Sequence, residues 1–257
     1  MTENKNHIAI DRLLTIMDEL RDKCPWDKKQ TLESLRYLSI EEIYELSDAI
    51  IKNDLKEIKK ELGDILLHIV FYAKIGSEQN AFDFADIVNG ICDKLIVRHP
   101  HVFGEIKVNS AEEVKANWEK IKLTEGRKSV LEGVPQSLPA MVKAHRIQEK
   151  VKGVGFDWKN SSDVLEKVKE EISEFENEFK LKNTTQMEAE FGDILFALIN
   201  YARFHNINPE DALEKTNQKF IKRFKYIEEQ AHKHNNSIDE IDFETMNTLW
   251  EESKKLH

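Results

Sequence analysis

Glu171 and Glu174 stand three residues apart, as do Glu190 and Asp193 farther along the chain. On a helix, side chains three or four positions apart share a face, so each pair projects together. The 16 residues from Glu174 to Glu190 leave room for the end of one helix, a short turn and the start of an antiparallel partner. Packed side by side, two such helices aim four carboxylates at one point. Converging carboxylates repel one another and do not stay ionised in a partly buried site without a cation. Oxygen-only ligands suit magnesium, manganese or calcium rather than zinc or copper. Magnesium retains waters and favours phosphate oxygens, which indicates a phosphate ester or anhydride as substrate. Such an ion lowers the pKa of a bound water and neutralises charge on the leaving group. A carboxylate left out of metal bonding would orient that water as a base.

A single Glu-x-x-Glu on a helix is ordinarily a solvated face. Here two acidic pairs precede apolar runs (Ile65–Val70 and Ile194–Ile199), and the whole pattern occurs twice, with Glu42, Glu45, Glu61 and Asp64 as the first copy. Aligning Glu41–Ala73 with Glu170–Ala202 needs no gap, because every matched pair lies 129 positions apart. Identical residues include Glu41 and Glu170, Glu42 and Glu171, Glu45 and Glu174, Glu61 and Glu190, Gly63 and Gly192, and Asp64 and Asp193. Gly192 beside Asp193 would let the helices or a ligand approach closely. Outside this block a Lys-x-x-x-Arg follows each copy, Lys94–Arg98 and Lys219–Arg223, and a Trp-Glu pair closes each half at Trp118–Glu119 and Trp250–Glu251. Lys222 and Arg223, or Lys94 and Arg98, could grip phosphates, arginine with a bidentate fork.

The elements that must hold these residues read as helices throughout. Apolar Ile8, Leu13, Leu14, Met17 and Leu20 make one stripe, and segments near 40–52, 55–76, 83–98 and 110–123 continue with helical spacing. In the second half the corresponding segments are 139–151, 162–181, 185–206, 208–233 and 242–255. No period-two alternation is long enough for a strand, and 9 glycines and 5 prolines are too few for a turn-rich sheet protein of 257 residues. The expectation is an all-α chain of two tandem homologous helical bundles, 1–123 and 139–257, joined by a linker over 124–138.

A formal charge of −10 argues against general affinity for nucleic acid, which needs an excess of cations. Cys24 and Cys92 lie far apart with no zinc-type spacing and read as two reduced thiols. The polar N-terminus lacks the apolar core of a signal peptide. The longest apolar runs fall short of the roughly 20 residues a membrane helix needs. A cytoplasmic protein with no membrane partner is the expectation.

With these residues in view, the chain resembles the MazG family of two-domain nucleoside triphosphate pyrophosphohydrolases, all-α enzymes. The strings that carry the resemblance are Cys24–Thr31 (CPWDKKQT), both acidic blocks, Arg98–Phe103 (RHPHVF), Ser137–Ala140 (SLPA) and Gly155–Trp158 (GFDW). The resemblance implies hydrolysis of NTPs and dNTPs between the α and β phosphates, giving the nucleoside monophosphate and pyrophosphate. It further implies dependence on Mg2+, broad base tolerance and a homodimer; Mn2+ is a possible substitute. It places metal ligation and catalysis on Glu171, Glu174, Glu190 and Asp193, with Glu42, Glu45, Glu61 and Asp64 as the first-half metal set. Nucleotide contacts fall at Arg98, His99, Lys167, Glu170, Lys222, Arg223 and Trp250, with further contacts around Gln186–Ala189. In such proteins the second half is credited with catalysis, yet the first half here keeps its full acidic set. The rival reading is a regulatory protein that binds metal and nucleotide without turnover.

Several residues carry two readings. His99 and His101 could touch phosphate or simply finish a capped helix. Trp118 and Trp250 could stack on a base or belong to the core. His68 follows Asp64 by four residues, but the repeat replaces it with Ala197, so iron ligation is disfavoured. His232 and His234 read as a fraying helix end, and Lys122 and Lys128 as solvated surface.

Overall fold

The Thr31 side chain accepts from the Ser34 backbone N–H while the Ser34 hydroxyl accepts from the Thr31 N–H, a reciprocal cap that starts a helix at Leu32. That start lies eight residues before the segment expected near 40, because the sequence reading followed apolar spacing and passed over the cap. The computed structural model describes residues 2–110, 113–114, 117–118, 121, 129–233 and 237–256. The linker residues 124–128, Lys122, Glu119 and His234 lie outside the described residues, and so do the chain ends. Of the helix expected at 110–123, residues 113, 114, 117, 118 and 121 are described and helical.

Among the described residues there is no strand; the chain is all-α as expected. The first half carries α1 (Thr2–Lys23), α2 (Leu32–Ile51), α3 (Leu55–Glu78), α4 (Phe84–Arg98) and the single turn α5 (Pro100–Phe103). The second carries α6 (Ala140–Lys152), α7 (Ser161–Leu181), α8 (Thr184–Phe204), α9 (Pro209–Lys233) and α10 (Phe243–Leu256). By contact the chain divides into two units, Met1–Asn109 and Ser110–His257. The division falls after Asn109, whereas the repeat read from the sequence put its boundary after residue 123.

In the first unit α2 packs along α3, and α1 also leans on α3. Met17, Leu35, Val70, Phe71 and Ile75 form the buried centre, ringed by Leu13, Leu14, Leu32, Leu38, Leu67, Tyr72 and Phe84. In the second unit α7 and α8 form the equivalent pair, with α6 against α8 and α10 against α9. Val164, Val168, Ala197, Ile199, Ile227 and Ala231 are buried there. Each central hairpin turns on a residue with left-handed backbone, Asn53 (φ 54°) between α2 and α3 and Lys182 (φ 57°) between α7 and α8. These two are themselves 129 positions apart, so the repeat extends to the backbone of the turn that sets the two acidic helices side by side. No described helix is long and apolar enough to cross a membrane.

The runs Ile65–Val70 and Ile194–Ile199 are only partly covered. Val70, Ala197 and Ile199 are buried, but Ile69, Leu195, Phe196 and Leu198 are exposed. A helix buries one stripe, and the remaining stripe of α3 and α8 faces outward.

Candidate metal centre

On α2, Glu42 and Glu45 lie one turn apart, and the turn at Asn53 brings Glu61 at the second turn of α3 alongside them. One carboxylate oxygen from each of Glu42, Glu45 and Glu61 lies within 4.8 Å of the others. Glu171, Glu174 and Glu190 of α7 and α8 make the same three-membered cluster in the second unit. Each draws on two helices of an antiparallel pair, and of the four carboxylates expected there the structure groups three.

Asp64 and Asp193 are not members of these tight groupings. Asp64 is nevertheless near enough to act on Glu42, whose carboxyl is pushed above the usual range. Burial is the main cause, followed by repulsion from Asp64, Glu45, Glu61 and Glu41. Asp193 is exposed one turn beyond Glu190. The Glu174 carboxyl is likewise raised, by desolvation first and then by the charges of Glu171 and Glu190, with Lys167 opposing. Repulsion among close carboxylates that lack a cation has this sign.

Each cluster holds one deeply buried member, Glu61 at 3% exposure and Glu171 at 6%. A buried carboxylate needs a counter-charge, and each has a lysine. Lys60 Nζ lies 2.8 Å from Glu61 Oε1 and 3.7 Å from Glu57 Oε2. Lys167 Nζ lies 2.8 Å from Glu171 Oε1 and 2.9 Å from Glu170 Oε1. Glu171, then Glu170, hold the Lys167 ammonium far above its ordinary pKa, and Glu61 raises that of Lys60. Glu61 Oε2 is buried with no hydrogen-bond partner. An orphaned, buried carboxylate oxygen beside two further carboxylates fits a divalent, oxygen-preferring cation such as Mg2+ or Mn2+.

A Cβ built on Gly63 or Gly192 would meet nothing within 4 Å. Of the two readings of Gly192, close approach of the helices is not used within the chain, and the space beside it is open.

The other expected contacts fall in separate places. Lys167 and Glu170 belong to the second cluster's edge. Arg223 lies over the Trp250 ring, 5.6 Å from its centroid, and Phe220 packs against Trp250 at 5.0 Å where α9 meets α10. Trp250 is half-buried there, between the two readings it carried. Arg223 Nε is buried and unpartnered. Among the described residues Lys222 shows no ion pair, and its side chain is exposed. Arg98 ends α4, and His99 Nδ1 sits 2.6 Å from the Leu95 carbonyl, so one of its ring nitrogens is occupied at a helix end. His68 is held low by burial, against the pull of Asp64, and its Nδ1 has no partner.

Sequence reasoning did not single out Lys60. The signal was present as a lysine adjoining a candidate ligand, but the repeat has Ala189 at that position and so gave no support. The Lys167–Glu171 pair was legible as an i, i+4 spacing.

Comparison with known proteins places this geometry in context. A family model described as "MazG nucleotide pyrophosphohydrolase domain" matches twice, over residues 30–103 and 159–227. The nucleoside triphosphate pyrophosphohydrolase of Escherichia coli (strain K12) is 42% identical over 96% of this chain and 97% of its own length. The "Nucleoside triphosphate pyrophosphohydrolase/pyrophosphatase MazG" of Thermotoga maritima is 42% identical over 96% of both chains. The Bacillus subtilis protein YabN, described as uncharacterized, is 47% identical over 94% of this chain and 50% of its own length. Both family matches contain a complete acidic cluster.

Proposed function

The chain belongs to the MazG nucleotide pyrophosphohydrolase family, and from that premise we propose that it hydrolyses nucleoside triphosphates to the monophosphate and pyrophosphate. The observation that carries the reading is the pair of three-carboxylate clusters, each within a family match and each with a buried member. We take NTPs and dNTPs as substrates, with wide tolerance of the base, Mg2+ as the natural ion and Mn2+ as a substitute.

Glu171, Glu174 and Glu190 would hold the ion in the second half, with Asp193 one turn away; Glu42, Glu45, Glu61 and Asp64 are the first-half set. When held there, such an ion would supply Lewis acidity and screen charge on the phosphates. A water oxygen attacks the α-phosphorus, the bond from that phosphorus to the α–β bridging oxygen breaks, and pyrophosphate leaves with that oxygen and the bond's electron pair. The proton of that water passes to a carboxylate of the cluster. In the second half Lys167, Lys222 and Arg223 would supply positive charge to the phosphates, and in the first half Arg98 and His99 are the candidate contacts. Trp250, between Phe220 and Arg223, offers a ring edge to the base. The negative total charge then matters little, because binding is local and bridged by a cation.

A homodimer is part of the proposal. The exposed Leu195, Phe196 and Leu198, close together on α8, support it, since a contiguous apolar patch marks an interaction surface.

The test is turnover of a nucleotide panel with Mg2+, with EDTA, and with Glu174→Gln and Glu45→Gln made separately. EDTA should abolish turnover. Glu174→Gln should lower kcat on the order of 100-fold, as loss of a metal-site carboxylate does. Nucleotide binding with no turnover in the wild type would instead establish the regulatory alternative.

A further inference from the structure

The two halves neutralise their clusters with different residues, and that difference cannot come from the duplication. Lys60 sits on α3 beside Glu61, while its repeat counterpart is Ala189. Lys167 sits on α7 one turn before Glu171, while its counterpart is Leu38. The buried carboxylates they hold are not counterparts either: Glu61 corresponds to Glu190, and Glu171 to Glu42. The first half thus meets this requirement with a cation on the second helix of its hairpin and the second half with one on the first helix, each on the same helix as the carboxylate it holds. The requirement is severe, because the Glu61 and Glu171 side chains are only 4% and 8% exposed. The lysines themselves are open to water, Lys60 at 59% and Lys167 at 34%, so either stem can swing out without breaking the core. Glu61 Oε2, buried without a partner, marks room for a second cation contact on the same carboxylate that Lys60 holds.

We propose that Lys60 and Lys167 are displaceable counter-ions of the two clusters, each paired with a carboxylate for which a divalent cation must compete. The lysines then set the metal affinity of the two halves independently. This rests on the metal-site reading above. It adds that the metal-free clusters are not vacant of charge, and that metal binding is an exchange of one cation for another.

The experiment is calorimetric titration of Mn2+ into EDTA-stripped, full-length protein without nucleotide. It compares wild type, Lys60→Met, Lys167→Met and the double variant. Lys59→Met and Lys169→Met serve as controls for net charge alone. Each of the two single variants should tighten one class of site by about fivefold beyond its control, the upper range for a partly exposed ion pair. The double variant should tighten both classes, because sites in separate hairpins with no shared partner add. Lys60→Arg and Lys167→Arg keep the charge but can clasp a carboxylate with two bonds, so they should weaken Mn2+ binding. The arginine variants also keep the test decisive if a methionine variant fails to fold without metal. Binding that is unchanged or weaker in folded methionine variants, or unchanged with arginine, overturns the proposal and leaves the metal site standing. Absence of saturable Mn2+ binding in the wild type would overturn the metal site and, with it, this exchange.

Discussion

Buried charge in this protein is answered residue by residue, and Arg21 shows the pattern away from the acidic clusters. Its guanidinium donates to the backbone carbonyls of Asp27 and Gln30, pinning the segment between α1 and α2, and it pairs with Glu78 near the end of α3. The Glu78 carboxyl is held below its ordinary range chiefly by its hydrogen bond to Arg21. A carboxylate whose folded pKa is depressed contributes stability above its unfolded pKa, and loses it as pH falls through the folded value. Glu78→Gln should therefore lower stability at neutral pH, by a modest amount because the pair is partly exposed. In urea denaturation the gap between variant and wild type should close as pH drops below the ordinary carboxylate range. A gap that persists at low pH would contradict the ion-pair account. At this scale helical spacing alone groups Glu171 with Glu174, and the structure places the two together with Glu190. It did not reveal Lys60 as a partner, because which neighbour answers a buried charge depends on burial that no spacing records.

Helix ends, more than helix bodies, place the clusters. Lys182 adopts a left-handed backbone at the end of α7, and the next residues open α8. Such a conformation costs a side-chain-bearing residue roughly 1–2 kcal/mol, part of which glycine recovers. Lys182→Gly is expected to raise stability by about 0.5–1 kcal/mol in chemical denaturation. A loss of stability instead would mean that the side chain, not the backbone, matters at this turn. The hairpins were legible as paired acidic segments on a constant offset. The start of α2 was not, because the Thr31–Ser34 cap lacks the usual acidic third residue and the apolar rhythm upstream is irregular. Gly192 allows close approach of a helix or a ligand, and packing within the chain does not use it. Only coordinates could separate that from space left open to a ligand or a second copy.

For the whole molecule, duplication explains why two all-α units carry equivalent acidic clusters, and the family matches fall on both. The exposed apolar patch on α8 leads to an expected outcome in solution. Light scattering after gel filtration should give about twice the 30.0 kDa chain mass. Phe196→Glu should shift that mass toward the monomer while the helical circular dichroism is retained. An unaltered mass would place the dimer contact elsewhere, and a wild-type monomer would refute the dimer itself. Tandem organisation was legible from the repeat, whereas the contact boundary after Asn109 was not, since it reflects which elements touch rather than which residues match.

The central claim is that the clusters direct cleavage between the α and β phosphates. It is tested most directly by phosphorus NMR of the products formed from one nucleoside triphosphate with Mg2+. The account predicts equal amounts of nucleoside monophosphate and pyrophosphate, with both absent in Glu45→Gln/Glu174→Gln. Nucleoside diphosphate with inorganic phosphate as the first products would contradict it.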